Sequence, residues 1–584
     1  MKSMMISEDI KKGMMNKLIY IYGEEHGEKI YNEIKNMIED FLEKRPPKNM
    51  EKWMDEKDIV LITYGDQIRE EKKDPLESLG EFLHAYVKGF IRSVHLLPFY
   101  PYSSDDGFSV IDYFEVNPEL GKWEHIENLS KDFELMLDAV INHISAKSQW
   151  FQGYLQGTEA YRDFFIETDP NLDFSRVTRP RALPLLTKFY TIEGEKYIWT
   201  TFSDDQIDLN YKNEKVLLMI IALLLFYIEK GAKMIRMDAI GYLWKEIGTS
   251  CIHLKETHKV VQLFRDIFEI AAPETIIITE TNVPHKDNIS YFGNGYNEAH
   301  MVYQFPLPPL TLHAFHTGNA RHLLEWADGL EPISGKVTFF NFLASHDGIG
   351  VMPAKGILSE EEVSEMANKV KARGGYISYK DNGDGTRSPY ELNINYFDAL
   401  SNPEDEEDLK IKRFICSQSI LLSLAGVPGI YVHSLLGSRN YQEGVVETGR
   451  YRSINREKFE RERLEEEINN PNHLRHKVFT RYKELIKKRT EEKGFHPNAG
   501  QQIIFGNDHV FALLRKAEDG SDEIVCLHNV SDTLQTMRID LDKADIRGTI
   551  FQDTVSGKVF EERKGILEIQ LSPYEMMWLK AWEK

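Results

Sequence analysis

Ile30, Ile34, Met37, Ile38, Phe41 and Leu42 recur at helical spacing, and Pro46-Pro47 then end the pattern. Residues 1–57 therefore predict a helical extension that caps the main body. From residue 58 the texture changes. Short apolar runs at 59–64, 93–97, 134–140, 233–238, 275–280, 301–305, 337–342 and 429–432 alternate with amphipathic stretches such as 75–90, 214–230 and 257–272. Strand–helix alternation predicts a parallel sheet of the α/β class. Eight units predict its closure into a (β/α)8 TIM barrel over residues 58–470. The segment 145–210 is long enough to be an inserted domain after the third strand, and 350–410 a further insertion after the seventh. The connection after the eighth strand is also long. Loops at that end of a barrel build active sites. Beyond a charged stretch at 456–467 and a helix at 474–488, period-two alternation takes over. Runs at 502–505, 510–514, 524–528 and 566–571, with a turn at Gly506-Asn507-Asp508, predict a linking helix and a small antiparallel β-domain across 471–584.

The 584 residues leave ample room for a barrel and an accessory domain, and 42% hydrophobic with 28% charged residues is ordinary for a globular protein. The net charge of -22 argues against nucleic acid or an anionic membrane as partner, because like charges would repel. Any anionic substrate must then meet a local basic pocket. The apolar run 216–228 is too short to span a bilayer and reads as a buried helix. The first residues lack an apolar signal core, and Cys251, Cys416 and Cys526 suggest neither a disulfide framework nor zinc spacing. A cytoplasmic protein is expected. Oligomeric state is not legible in this pattern.

Several predicted strands end in polar residues that packing does not require. Arg236 and Asp238 stand two apart, hence on one side of a strand, and a guanidinium there favours an ionised carboxylate, as a nucleophile needs. Glu280 closes the next strand, Ser345-His346-Asp347 follows a later one, and Asp138 to His143 form a fourth cluster. Acidic groups at barrel strand ends converge, and two carboxylates about 5–5.5 Å apart support glycoside cleavage with retention. One Arg-x-Asp or His-Asp pair alone is more often a structural ion pair or cap.

With these motifs in place, residues 59–455 resemble the α-amylase superfamily, glycoside hydrolase family 13, and within it the sucrose phosphorylase-like subgroup. The resemblance implies Asp238 as nucleophile, Glu280 as general acid/base and Asp347 as transition-state stabiliser. It also implies Arg236 as the group orienting Asp238, with His143 and His346 bonded to the sugar ring. Tyr102-Ser103-Ser104-Asp105-Asp106-Gly107-Phe108 resembles the segment closing a one-glucose pocket, with Asp106 on the far hydroxyls and Phe108 as an apolar wall. Gln206, in Gln206-Ile207-Asp208, belongs to the same set. Arg179-Pro180-Arg181 resembles a phosphate loop whose second arginine, Arg181, meets phosphate, and Tyr390 matches an acceptor-region tyrosine. Glu391 stands where sucrose phosphorylases carry glutamine, and Asn282 where they carry histidine. These departures and the N-terminal helices resemble the glucosylglycerate phosphorylase branch. That branch uses inorganic phosphate as co-substrate, D-glycerate as acceptor, and no cofactor or metal. Lys245, His253, Lys255 and His258 are candidates for a basic acceptor pocket, against a solvated helix face. Asn142 matches a position that in some superfamily members helps bind calcium, without a ligand set to accompany it. Rival acceptors are fructose, fructose 6-phosphate, glycerol and, for an α-glucoside hydrolase, water. A non-catalytic amylase-like binding subunit would instead require a membrane span and eroded acidic residues.

Overall fold

The eight apolar runs become β1 (Val60–Thr63), β2 (Ser93–Leu96), β3 (Glu134–Ala139), β4 (Ala232–Met237), β5 (Ile276–Thr279), β6 (Met301–Tyr303), β7 (Thr338–Phe342) and β8 (Val427–Tyr431). In the computed structural model, which describes residues 8–47, 53–180, 183–330, 333–382 and 385–582, they pair in chain order as a closed parallel barrel. Val60 of β1 pairs with Ser93 of β2 on one side and Gly429 of β8 on the other, which closes the ring. Gly429 is needed there: a Cβ would lie 2.4 Å from the Phe340 ring of β7. Burial of all four β1 residues and all five β7 residues fits a parallel sheet covered by helices. The (β/α)8 expectation holds, with strand ends within two residues of the predicted runs.

The helix Glu214–Glu229 explains the long apolar run. Ten of its sixteen residues are buried, because it lies between the barrel and a second helical layer. That layer is the N-terminal hairpin α1 (Glu8–Tyr22) and α2 (Glu24–Lys44), turned at Gly23 with φ +84°. The Tyr22 hydroxyl donates to the Tyr211 carbonyl at 2.7 Å, Lys29 meets Glu214 at 2.9 Å and Arg45 meets Glu274 at 3.0 Å. Among the described residues no helix is long and apolar enough to cross a membrane.

The long connections lie at the C-terminal ends of β3, β7 and β8. After β3, the strand His143–Ser145 pairs antiparallel with Gln206–Asp208, and Leu186–Thr191 forms a hairpin with Gly194–Trp199. After β7, Ile349–Gly350, Arg387–Asn393 and Tyr376–Asp381 form a three-stranded antiparallel sheet. After β8, a 3-10 turn Tyr451–Asn455 returns the chain over the barrel mouth. At the C-terminus, six antiparallel strands and a separate two-stranded ribbon enclose a core that includes Val510, Leu527, Met537, Ile569 and Leu579. Buried Arg515 joins this sheet to the barrel, donating to the carbonyls of Ser423 and His496, each at 2.8 Å.

Candidate active site

The end of β4 carries the centre of the site. Arg236 is buried and uses Nη1 twice, on Asp138 Oδ1 at 2.5 Å and on Asp238 Oδ1 at 2.8 Å; its Nε donates to the Tyr303 hydroxyl of β6 at 3.0 Å. His95 of β2 grips the other oxygen of Asp138 at 2.7 Å. Burial would raise the Asp138 carboxyl, but Arg236 and His95 hold it below its ordinary value. Four strand ends are thus cross-braced around one guanidinium.

Glu280 follows β5, and its Oε2 lies 3.9 Å from Arg236 Nη2. The same oxygen accepts the Ala239 backbone N–H at 3.0 Å. Ala239 has φ +47°, a left-handed conformation that is costly for alanine and occurs here immediately after Asp238. Both acids therefore flank one cation. Burial pushes Glu280 up to about 7, with Arg236 opposing and the Asp238 charge adding to the rise. Burial also raises Asp238, but its direct bond to Arg236 makes it the more acidic of the pair. One carboxyl that stays protonated near neutrality beside one that ionises first is the pairing needed for general-acid and nucleophilic roles.

Asp347 reaches the same pocket beyond β7. Burial opposes its ionisation, yet Arg452, followed by His346 and Arg456, holds its carboxyl well below the usual range. Arg452 Nη1 donates to Asp347 Oδ1. The His346 ring stacks on Phe108, with centroids 4.9 Å apart and planes 8° apart. His143 lies with Nε2 2.9 Å from the Phe108 carbonyl, and Gln206 donates to that carbonyl at 3.1 Å. Burial lowers both histidines, His346 to about 3, so both are neutral at pH 7. Asp238, Glu280, Asp347, His143, His346 and Gln206 all line one cavity of about 120 Å³, and Phe108, Arg236 and Tyr390 are also part of its wall.

The family profile described as the α-amylase catalytic domain matches residues 84–349. A protein of Spirochaeta thermophila called glucosylglycerate phosphorylase is 48% identical over 97% of this chain and 98% of its own length. The chain belongs to the α-amylase family. An Escherichia coli protein, also called glucosylglycerate phosphorylase, is 48% identical over 91% of this chain and 93% of its own. Among solved structures, sucrose 6F-phosphate phosphorylase from Thermoanaerobacter thermosaccharolyticum matches with a TM-score of 0.70 and 25% identity, across 81% of this chain and 94% of that one.

Against this α-amylase-family frame several expectations need correction. Asp106 does not line the sugar cavity. Asp105 and Asp106 both adopt left-handed backbone, φ +55° and +50°, and the double turn aims them apart. Asp105 lines the cavity, whereas Asp106 turns to Arg456 beside a separate recess. Glu391 is not in the wall of this cavity but lines an adjoining recess, clamped by Arg452 Nε at 3.0 Å and Nη2 at 2.6 Å. Arg181 lies outside the described residues; its neighbour Pro180 lines the cavity.

The proposed basic acceptor cluster does not assemble. Lys245 is buried, donating to Asn142 Oδ1 at 2.8 Å and contacting Asp208 at 2.6 Å, so its ammonium fills the space between the two oxygens. His253 pairs with the Tyr291 hydroxyl and His258 with Glu298, both at 2.8 Å, while Lys255 is solvent-exposed. The sequence reading missed Asp105, Arg452 and Arg456. An arginine two residues after another, Arg450-Tyr451-Arg452, was the available signal, but no periodicity tied it to the barrel mouth.

Proposed function

We infer that the chain is a retaining glycoside phosphorylase that interconverts 2-O-α-D-glucosyl-D-glycerate plus phosphate with α-D-glucose 1-phosphate plus D-glycerate. The observation that carries this is 48% identity, over nearly the whole length, with two proteins bearing that activity in their name. The paired acids and the polar cavity they share support it chemically.

In this reading Glu280 protonates the glycosidic oxygen while Asp238 attacks the anomeric carbon. D-glycerate leaves and a β-glucosyl ester of Asp238 remains. Phosphate then attacks the anomeric carbon, Glu280 takes its proton, the ester bond breaks, and α-glucose 1-phosphate departs. Two inversions give net retention. Asp347 and Asp105 grip sugar hydroxyls, His143 and His346 add neutral hydrogen bonds, and Phe108 supplies the apolar wall. Arg181 and Tyr390 act on phosphate. The reaction uses phosphate as co-substrate and draws on no other group.

Residues 58–470 form the catalytic part, with 145–210 and 350–410 closing its mouth, while 1–57 and 471–584 support it from outside. Three buried free cysteines fit a reducing cytoplasm. The test is an acceptor screen with α-glucose 1-phosphate as donor, offering D-glycerate, fructose, fructose 6-phosphate and glycerol. Glucosylated D-glycerate with matching phosphate release is expected. Transfer to fructose or glycerol in preference to D-glycerate would refute the assignment.

A further inference from the structure

An anionic acceptor has to enter a cavity whose wall already carries Asp105, Asp238, Glu280 and Asp347. Among the described lining residues, two bear a permanent positive charge, Arg236 and Arg452. The Arg236 side chain is 3% exposed and committed to Asp138, Asp238 and Tyr303. Arg452 is 28% exposed and lines both this cavity and an adjoining recess of about 330 Å³, whose wall also carries Lys380 and Arg450. The recess is therefore a basic approach to an acidic chamber, and Arg452 stands at the junction.

We propose that Arg452, held by Glu391, is the cation that receives the carboxylate of the acceptor, an inference that rests on the D-glycerate reading above. A guanidinium has five N–H donors in a flat fork. Nε and one Nη2 hydrogen serve Glu391, and one Nη1 hydrogen serves Asp347. Among the described residues no hydrogen-bond partner takes the other two donors, one on Nη1 and one on Nη2, and a guanidinium is well suited to bind a carboxylate. The fork is fixed from three sides. Glu391 is buried against Gly348, where a Cβ would fall 2.6 Å from its Cγ. Tyr451, next to Arg452, stacks on Tyr376 with centroids 4.8 Å apart and planes 11° apart. Tyr376 and Glu391 stand on adjacent strands of the same small sheet. Glu391 is accordingly a positioning residue.

The test compares wild type, Arg452→Gln, Arg452→Lys and Glu391→Gln with α-glucosyl fluoride as donor. That donor makes the glucosyl enzyme whatever the natural acceptor. D-glycerate, glycerol, inorganic phosphate and water are the acceptors; glycerol keeps the three-carbon skeleton and replaces the carboxylate by a neutral group. The readout is kcat/KM for D-glycerate divided by that for glycerol. Arg452→Gln should lower this ratio by about 10- to 150-fold, the worth of one charged hydrogen-bond pair. Arg452→Lys should recover part of it, and Glu391→Gln should raise KM for D-glycerate more than it lowers kcat. Equal losses with both acceptors would overturn the proposal, because the arginine would then act only through Asp347. A wild type that favours glycerol and water over D-glycerate and phosphate refutes the functional reading itself. One that accepts D-glycerate with an unchanged ratio in the variants refutes the arginine's role alone.

Discussion

Glu280 offers a prediction with two independent readouts. Its carboxyl ordinarily titrates at 4.5 and is pushed up to about 7 by burial, with the Asp238 charge adding to the rise. Cleavage of the glycerate glucoside needs the protonated form, so kcat/KM should fall tenfold per pH unit above about 7. With α-glucosyl fluoride as donor, fluoride ion departs without needing a proton, so this donor should show no such limb. Glu280→Gln should cost the glycoside about 10²- to 10⁴-fold and the fluoride far less. The same shift bears on stability. A carboxyl whose folded pKa is raised destabilises the fold once it is ionised: nothing below pH 4.5, the full penalty above about 7. From 4.5 to about 7 the penalty is about 3 kcal/mol. Glu280→Gln should therefore unfold at higher temperature than wild type at pH 8, and at nearly the same temperature at pH 4.5. An alkaline limb shared by fluoride and glycoside, or a Gln variant no more stable at pH 8, would refute the reasoning.

Asp238→Asn should abolish turnover of both donors by about 10⁴-fold or more, and mass spectrometry of wild type with a slow 2-fluoro glucosyl donor should find the sugar on Asp238. Arg181→Ala should depress phosphorolysis more than hydrolysis, read as α-glucose 1-phosphate against free glucose; equal losses would remove its phosphate role. Among the described residues, Lys245→Met leaves buried Asp208 with Thr201 and Asn142 as its side-chain partners. It should cost about 3–5 kcal/mol in denaturant unfolding, the toll of stranding one member of a buried ion pair.

The barrel was legible because each strand is an apolar run buried on both faces, and because acids at strand ends have no packing reason to be there. What failed was orientation within loops. Asp105 and Asp106 are chemically identical neighbours, and the choice between them depends on two left-handed backbone angles that residue identity does not encode. Arg452 lies 105 residues from Asp347 and 61 from Glu391, in a connection with no hydrophobic period, so only the folded chain brings the three together. The acceptor lysine and histidines were near the right strand, but each found a buried polar partner in the neighbouring loops instead. The C-terminal strands Gln535–Asp540, Ile550–Asp553, Val559–Glu561 and Met576–Ala581 lie outside the predicted runs, although in the first of them buried Met537 and Ile539 alternate with exposed Thr536 and Arg538.

Under the proposed mechanism, the charges around the paired acids would also let one glutamate serve both half-reactions. While Asp238 is a free carboxylate, its charge helps keep Glu280 protonated. Forming the proposed glucosyl ester would remove that charge, so the pKa of Glu280 would fall as its proton leaves with D-glycerate. The cavity then holds one carboxylate ready to act as base, and esterification has removed one of the negative charges that opposed an incoming anion. Arg236, no longer shared with an ionised Asp238, is left nearer to Glu280 alone. In the proposed mechanism the covalent bond that stores the sugar would thus convert the second carboxyl from acid to base, and it would lower the electrostatic cost of admitting phosphate at the moment phosphate is needed.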